Sequence, residues 1–129
     1  MKIDYAARAR ALVGMRFRPQ GRGTSGLDCV GVVLATFDIP AATVPQDYRM
    51  RGGQLGELRR RLDERFRRIA RSALRAGDVM LLLAGEQQPH LAVRTPRGFV
   101  HAHAGIRRVV ETPGMPEWPI LGVYRKRRG

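Results

Sequence analysis

Cysteine is almost absent from the chain, which contains only Cys29. A single cysteine excludes an intramolecular disulfide and a structural zinc site built from several cysteines. The 129 residues still suffice for a core, because 43% of them are hydrophobic, close to the usage of ordinary globular domains. We therefore expect one folded domain over residues 1–129, with neither a metal ion nor another cofactor.

Long hydrophobic runs are also missing. The longest, from Val79 to Ala84, is far shorter than the roughly 20 apolar residues that cross a bilayer. The N-terminal segment has no apolar run of signal-peptide length, because Arg8 and Arg10 interrupt it. From these features we expect no membrane partner and synthesis in the cytoplasm without a signal peptide.

Lysine and acidic residues are scarce. Only Lys2 and Lys126 are lysines among 24 basic residues, and 11 acidic residues leave a net charge of +13. Such a charge favours an anionic partner: nucleic acid, a phosphate-bearing wall polymer or an acidic protein surface. Aromatic residues make up only 6% of the chain, so no base-stacking platform is evident and nucleic acid ranks last. An ordinary solvated basic surface explains the charge equally well.

The order of the predicted elements places helices first and strands after them. Helical spacing of apolar residues predicts three helices, over residues 3–13, 28–37 and 55–62. Glycine and proline predict a loop without regular structure over 17–27, and a second loop over 43–53 carries Tyr48. Alternating or short apolar runs predict strands over 66–69, 79–83, 90–94, 99–103, 109–111 and 120–124. We therefore predict an α+β fold, with N-terminal helices packed on an antiparallel sheet of about five to six strands.

Cys29 is predicted to lie in the first turn of the second helix, with Asp28 as its N-cap. A cysteine attacks as its thiolate, and the free N–H groups and dipole of a helix N-terminus favour that anion. The same N–H groups can hold the oxyanion of a tetrahedral intermediate. A small buried hydrophobic residue is the alternative interpretation of a lone cysteine, and the local sequence does not exclude it.

The three histidines, His90, His101 and His103, all fall in one predicted hairpin. Side chains alternate along a strand, so His101 and His103 share a face. A two-residue loop, at 96–97 or at 95–96, puts His90 on that face too, whereas a three-residue loop puts it on the other. The hairpin thus permits a base for the cysteine and a partner that orients the base. Polar strand residues facing solvent are the alternative.

Four segments stand in a specific order along the chain. They are Leu27-Asp28-Cys29-Val30-Gly31 at a helix start, Gly77-Asp78 before a core strand, His90-Leu91-Ala92-Val93, and Phe99-Val100-His101-Ala102. Together they resemble the motifs of the NlpC/P60 cysteine peptidases, and the resemblance extends from about Ile3 to Arg125. The stretch over 17–21, the short length and the missing signal resemble most closely the branch found in phage tails and gene transfer agents.

The resemblance implies a reduced papain-like fold and hydrolysis of amide bonds in the peptide stems of peptidoglycan. It assigns Cys29 as the nucleophile, His90 as the general base and His101 as the residue that orients His90. It also implies a wall-penetration enzyme that acts in a particle tail at the cell wall. The implied partners are the stem peptide and phage-tail-like structural proteins. A catalytically inactive tail-tip protein of the same fold, with a structural or interaction role, is the alternative.

Five residues are expected to border the substrate cleft: Asp28, Phe17, Val30, Tyr48 and His103. Val30 stands where the family usually has Ser, and Phe17 stands about where a Tyr is common. In family members these positions help to bind the free amine of the stem peptide. Asp28 is retained and either binds an amine or serves only as a helix cap. His103 is the second candidate for orienting the general base.

Overall fold

The computed structural model describes residues 2–17, 22–23, 26–40, 55–84 and 88–127, with the backbone alone at 22–23 and 26–27. Within these ranges the α-helices are α1 Tyr5–Arg10, α2 Cys29–Thr36 and α3 Leu55–Arg65, and a short 3₁₀ helix spans Arg71–Ala73. Two short strands, β1 Arg22–Gly23 and β2 Gly26–Leu27, precede α2. The remaining strands are β3 Phe66–Ile69, β4 Val79–Ala84, β5 Gln88–Arg94, β6 Gly98–His103, β7 Arg108–Pro113 and β8 Ile120–Lys126. No helix in these ranges has the length and apolarity that a membrane span requires.

The six longer strands form one sheet in the order β3-β8-β4-β5-β6-β7, and every neighbouring pair is antiparallel. All three α-helices precede the six-stranded sheet in the chain, and α3 leads directly into β3. The predicted α+β class and the antiparallel sheet of about five to six strands are therefore confirmed.

Side chains of the central strands alternate between two hydrophobic clusters, one on each face of the sheet. The cluster on the helix side contains Leu81, Leu91 and Val100, together with residues of α2 and α3. The cluster on the opposite face contains Met80, Leu82, Ala92 and Phe99, with Trp118 packed against it. This alternation follows from the two-residue period of a strand. The same alternation determines on which face of the sheet each histidine of β5 and β6 lies.

Helix α2 is buried on almost all sides, and only Ala35 of its eight residues is exposed. This burial is wider than the single apolar stripe of a helix at a domain surface. The sheet covers one side of α2, while α1 and its flanking residues cover the other, with the Tyr5 and Phe37 rings 4.6 Å apart. A helix enclosed between two layers carries apolar residues all round.

The prediction of an irregular loop over 17–27 is wrong at two places, because β1 and β2 pair within it. Arg22 pairs with Leu27, and Gly23 pairs with Gly26. The glycines that prevent a long element also permit the chain to reverse tightly between two short strands. The second predicted loop, over 43–53, lies outside the described residues.

Candidate active site

Cys29 is the first residue of α2, and Asp28 caps this helix as predicted. The Gly31 N–H donates to Asp28 Oδ1 at 2.7 Å. An aspartate at this position is a preferred cap, because its side chain satisfies an amide that has no partner within the helix. The cap fixes the direction in which the chain enters α2, and thereby the position of the thiol.

The thiol lies against an open edge of β5. Among the described residues of the hairpin, β5 and β6 pair at only two positions, Val93 with Val100 and Arg94 with Phe99. This register corresponds to the predicted loop at 96–97. The Arg94 N–H donates to the carbonyl of Asp78, directly before β4. Because backbone N–H groups alternate in direction along a strand, the Leu91 N–H points to the β6 side, where the pairing of β5 with β6 has ended. The backbone of Leu91 there hydrogen-bonds to the Cys29 sulfur.

Burial keeps the Cys29 thiol protonated in the resting site. Desolvation, followed by the negative charge of Asp28, raises the pKa of Cys29 to about 12. Hydrogen bonds from the backbone of Leu91, Val30 and Cys29 itself act in the opposite direction, as expected for N–H groups that favour a thiolate. The expectation that the helix start ionises the thiol is therefore wrong for this state. The amides at the helix start are outweighed by burial and by the adjacent carboxylate.

His90 and His101 form a direct pair on the face of the sheet opposite the helices. His90 Nε2 and His101 Nδ1 are 2.9 Å apart. His101 Nε2 is in turn 3.0 Å from the Thr112 hydroxyl on β7. The three side chains make one continuous line of hydrogen bonds from β5 to β7. His90 Nδ1, the ring nitrogen outside this line, is the atom that can receive a proton.

Both histidines of the pair are neutral near pH 7. Desolvation, with smaller repulsions from His101 and His103, lowers the pKa of His90 to about 3. Desolvation, with a smaller repulsion from His103, lowers the pKa of His101 to about 4. Burial has this effect because it disfavours the charged imidazolium. The site therefore combines a neutral thiol with neutral imidazoles.

Aromatic rings enclose the histidine pair. Trp118 contacts both imidazoles edge-on, at 5.4 Å from the His90 ring and 5.9 Å from the His101 ring. Phe99 lies 4.9 Å from the His101 ring. Trp118 also packs on the hydrophobic cluster of the face opposite the helices. Its contact with the histidines was missed, because no local pattern relates residue 118 to β5 and β6.

The structure does not bring every predicted site residue together. Among the described residues, no hydrogen bond joins the Cys29 sulfur to the His90 ring; the two groups approach the same stretch of β5 from opposite faces. His103 accepts the Ile106 N–H at Nδ1, 3.1 Å away, and its ring lies 5.7 Å from that of His101. His101, and not His103, is therefore the residue hydrogen-bonded to His90.

The predicted cleft residues differ in accessibility. Val30 is 7% exposed and belongs to the core cluster on the helix side, so a ligand reaches little of its side chain. Phe17 is half-buried against the same cluster, and its N–H donates to the Arg107 carbonyl at 3.0 Å. Tyr48 lies outside the described residues. In the part of the chain that the structure describes, no histidine, cysteine or acidic residues are grouped to hold a metal ion.

Among curated proteins, the chain matches a relative in Escherichia coli strain K12, the murein DD-endopeptidase MepS/murein LD-carboxypeptidase. The two are 28% identical over 112 residues, which cover 81% of this chain and 51% of the relative. The chain thus spans about half the length of the curated relatives that it matches. No protein-family model matches the chain.

Solved structures define the fold. NlpC1 from Trichomonas vaginalis matches with a TM-score of 0.68 at 15% identity, covering 95% of this chain and 42% of that protein. RipD from Mycobacterium tuberculosis, a non-catalytic NlpC/p60 domain protein adapted to peptidoglycan binding, matches with a TM-score of 0.57 at 16% identity, covering 95% and 94%. The chain therefore has the NlpC/P60 fold, the α+β papain-like arrangement that the sequence motifs implied.

Proposed function

We propose that the protein is a cysteine peptidase that hydrolyses amide bonds in the peptide stems of peptidoglycan. One observation carries this proposal: the Cys29 sulfur lies on the backbone of Leu91, next to His90, whose ring is hydrogen-bonded to His101. A nucleophile, a base and a group that orients the base are the parts that thiol-dependent acyl transfer requires. The relative in Escherichia coli is named for endopeptidase and carboxypeptidase action on murein, which supports the same class of substrate.

The neutral resting state indicates general-base catalysis rather than attack by a preformed thiolate. The thiol proton passes to His90 Nδ1 as sulfur attacks the scissile carbonyl, a step that requires the two groups, which share no hydrogen bond among the described residues, to come within reach. The imidazolium that forms is held through its Nε2–H by His101 Nδ1. His90 then returns the proton to the leaving amine, and water hydrolyses the thioester by the same route.

The oxyanion of the tetrahedral intermediate is stabilised at the start of α2. The N–H groups of Cys29 and Val30 lie in the first turn, where no helical carbonyl is available to them, and in the resting state they face the sulfur. As sulfur bonds to the carbonyl carbon, the same donors serve the developing oxyanion. Gly31 does not take part, because its N–H is committed to Asp28.

Release of stem-peptide fragments tests this function. Purified protein is incubated with peptidoglycan sacculi, and soluble fragments are identified by mass spectrometry. Cys29→Ala and Cys29→Ser should abolish fragment release, whereas Ala35→Ser, at the exposed position of the same helix, should leave it unchanged. Equal digestion by Cys29→Ala and by the unaltered protein would rule out a cysteine peptidase.

The biological setting we propose is the tail of a phage or gene transfer agent, where the enzyme opens the cell wall. The stretch over 17–21, which resembles that branch, supports this setting. The charge of +13 supports docking on acidic tail proteins. Purified particles should then contain the protein, detected by mass spectrometry of density-gradient fractions. Its absence from every particle fraction would exclude the setting without affecting the proposed chemistry.

A second candidate function is non-catalytic binding of peptidoglycan. It is favoured by the protonated thiol and by the missing hydrogen bond between Cys29 and His90 among the described residues. RipD shows that the fold exists in a non-catalytic form. This alternative predicts that the protein sediments with sacculi, that Cys29→Ala binds equally well, and that neither releases fragments.

A further inference from the structure

We propose that Thr112 is a positioning residue that fixes the tautomers of both site histidines, so that His90 Nδ1 is free of a proton. This role rests on the proposed function for its catalytic consequence, but the tautomers themselves can be observed without any activity. Thr112 belongs to no motif that the sequence presents. It is placed by the pairing of β6 with β7, where it stands opposite Phe99.

The line of hydrogen bonds has only two self-consistent proton arrangements while both rings are neutral. In the first, Thr112 Oγ1 accepts the His101 Nε2–H, and His101 Nδ1 accepts the His90 Nε2–H. His90 Nδ1 then carries a lone pair and can act as a base. In the second, the hydroxyl donates to His101 Nε2, every proton in the line moves to the other partner, and His90 Nδ1 is protonated. A neutral imidazole has one donor and one acceptor nitrogen, so no mixed arrangement keeps both bonds.

Thr112 therefore acts on His90 without touching it. In the first arrangement its oxygen accepts from His101, so that Nδ1 of His101 must be an acceptor and the proton of His90 must lie on Nε2. His101 is buried, at 2% exposure, so water does not readily replace the threonine. The tautomer-setting role matches that of the third group in other hydrolytic triads, which holds the base imidazole in the productive form.

The geometry around Thr112 holds its hydroxyl in place. A threonine is stiff about its first side-chain torsion because it is branched at Cβ. Its backbone lies directly over Gly98 at the start of β6, where even a Cβ atom would overlap the Thr112 carbonyl oxygen. The close approach of these two strands keeps Thr112 Oγ1 within 3.0 Å of His101 Nε2.

Nitrogen-15 NMR of the imidazole rings reads the tautomers directly. In the unaltered protein near pH 7, we expect both His90 and His101 to carry their proton on Nε2. Thr112→Val should convert these rings to a mixture of tautomers, and Thr112→Ser should restore the Nε2–H form. A proton on His90 Nδ1 in the unaltered protein, or unchanged ring shifts in Thr112→Val, would overturn the proposal.

Thr36→Val provides a matched control. Thr36 is a fully buried threonine whose hydroxyl has no hydrogen-bond partner in the described part of the chain. The same replacement there should leave the histidine signals unchanged, whereas a similar change in both variants would mean that any lost hydroxyl perturbs the rings and would contradict the proposal.

Kinetics separate this role from the proposed function. Thr112→Val should lower kcat by about 3- to 10-fold, the value of one ordinary hydrogen bond, with KM unchanged and with recovery in Thr112→Ser. A loss confined to KM would overturn the positioning role. If the unaltered protein released no fragments at all, the proposed function would fail, and the NMR result alone would decide the role of Thr112.

Discussion

His90 and His101 are hydrogen-bonded to each other across two strands that do not pair at their level. The Nε2–Nδ1 distance is 2.9 Å, although the described ladder between β5 and β6 ends at Val93 and Val100. The side-chain bond thus spans the gap that also admits the N-terminus of α2. The separation of β5 from β6 therefore provides the space both for the Cys29 thiol and for the His90 ring.

Removing both histidines should cost no more activity than removing His90 alone. His90→Ala should lower kcat by about 10²- to 10⁴-fold, the usual contribution of a general base. His101 acts through His90 and makes no contact of its own with the reacting atoms. The double variant His90→Ala/His101→Ala should therefore match the single variant, because residues that act as a unit are not additive.

Steady-state kinetics on a soluble stem peptide measure this effect. A double variant that is slower than His90→Ala by the full factor of His101→Ala would show that His101 contributes independently. His103→Ala is the informative comparison, because its ring lies on the same strand but is bonded to its own turn. Its loss of kcat should be smaller than that of His101→Ala.

Asp28→Asn should make the Cys29 thiol more reactive. The carboxylate raises the pKa of Cys29 by repulsion, second only to burial. Asparagine keeps the side-chain oxygen that caps α2 and is itself a good N-cap. For every unit by which the pKa falls, about tenfold more thiolate is present at a given pH. The rate of alkylation by iodoacetamide, measured from pH 7 to pH 10, should therefore rise.

Asp4→Asn is the matched control for this change. Asp4 caps α1 in the same way, accepting the Ala7 N–H at 2.9 Å, and its replacement removes the same charge. It should leave the alkylation profile of Cys29 unaltered. Equal acceleration by both variants would attribute the effect to net charge, and no acceleration by Asp28→Asn would refute the role of its carboxylate.

Acid should unfold the protein through the buried histidines. In the folded chain the pKa of His90 is lowered to about 3 and that of His101 to about 4, both from an ordinary value of 6.5. The stability they contribute is present above pH 6.5 and is lost as pH falls toward these folded values, because the unfolded chain binds protons that the folded chain does not. Each histidine contributes a slope of about 1.4 kcal/mol per pH unit at most.

Denaturant unfolding at a series of pH values between 4 and 8 measures that slope. We expect a flat free energy of unfolding above pH 7 and a fall below pH 6.5. His90→Gln and His101→Gln should each reduce the slope, whatever their effect on stability at neutral pH. A slope that is unchanged in both variants would assign the acid sensitivity to other groups.

The fold could be predicted from the sequence because the patterns that define it are local. Alternating apolar residues gave the strands over 79–83 and 120–124 within a few residues of β4 and β8. The cap at Asp28 gave the start of α2. The sequence left three possible loops for the β5–β6 hairpin, each with its own strand register. The structure has the register that corresponds to the loop at 96–97. The histidine spacing thus fixed only that His101 and His103 share a face, and the face of His90 followed from the register.

The state of the site could not be predicted, because it depends on burial and on partners distant in sequence. A helix N-terminus favours a thiolate only where burial does not outweigh it, and the depth of Cys29 is set by β5. Thr112 contacts His101 because β7 pairs with β6 in the sheet. Trp118 contacts His90 because the segment over 113–119 passes close to β5. The only signal for Thr112 was a polar residue directly after the strand predicted over 109–111, which is too common a feature to single out.

Gly98→Ala should damage both stability and the histidine pair. A Cβ at residue 98 would overlap the Thr112 carbonyl oxygen and lie 2.8 Å from the Pro113 Cα, and backbone atoms in a paired strand cannot move aside cheaply. Overpacking of this kind costs about 1–3 kcal/mol, measured as a lower Tm. Because Thr112 must shift, the His101 ring signals should shift too. Gly56→Ala, in α3 with no atom within 4 Å of the added methyl, should instead raise stability by about 0.5–1 kcal/mol. A Tm for Gly98→Ala equal to that of the unaltered protein would show that β6 and β7 can separate at Thr112.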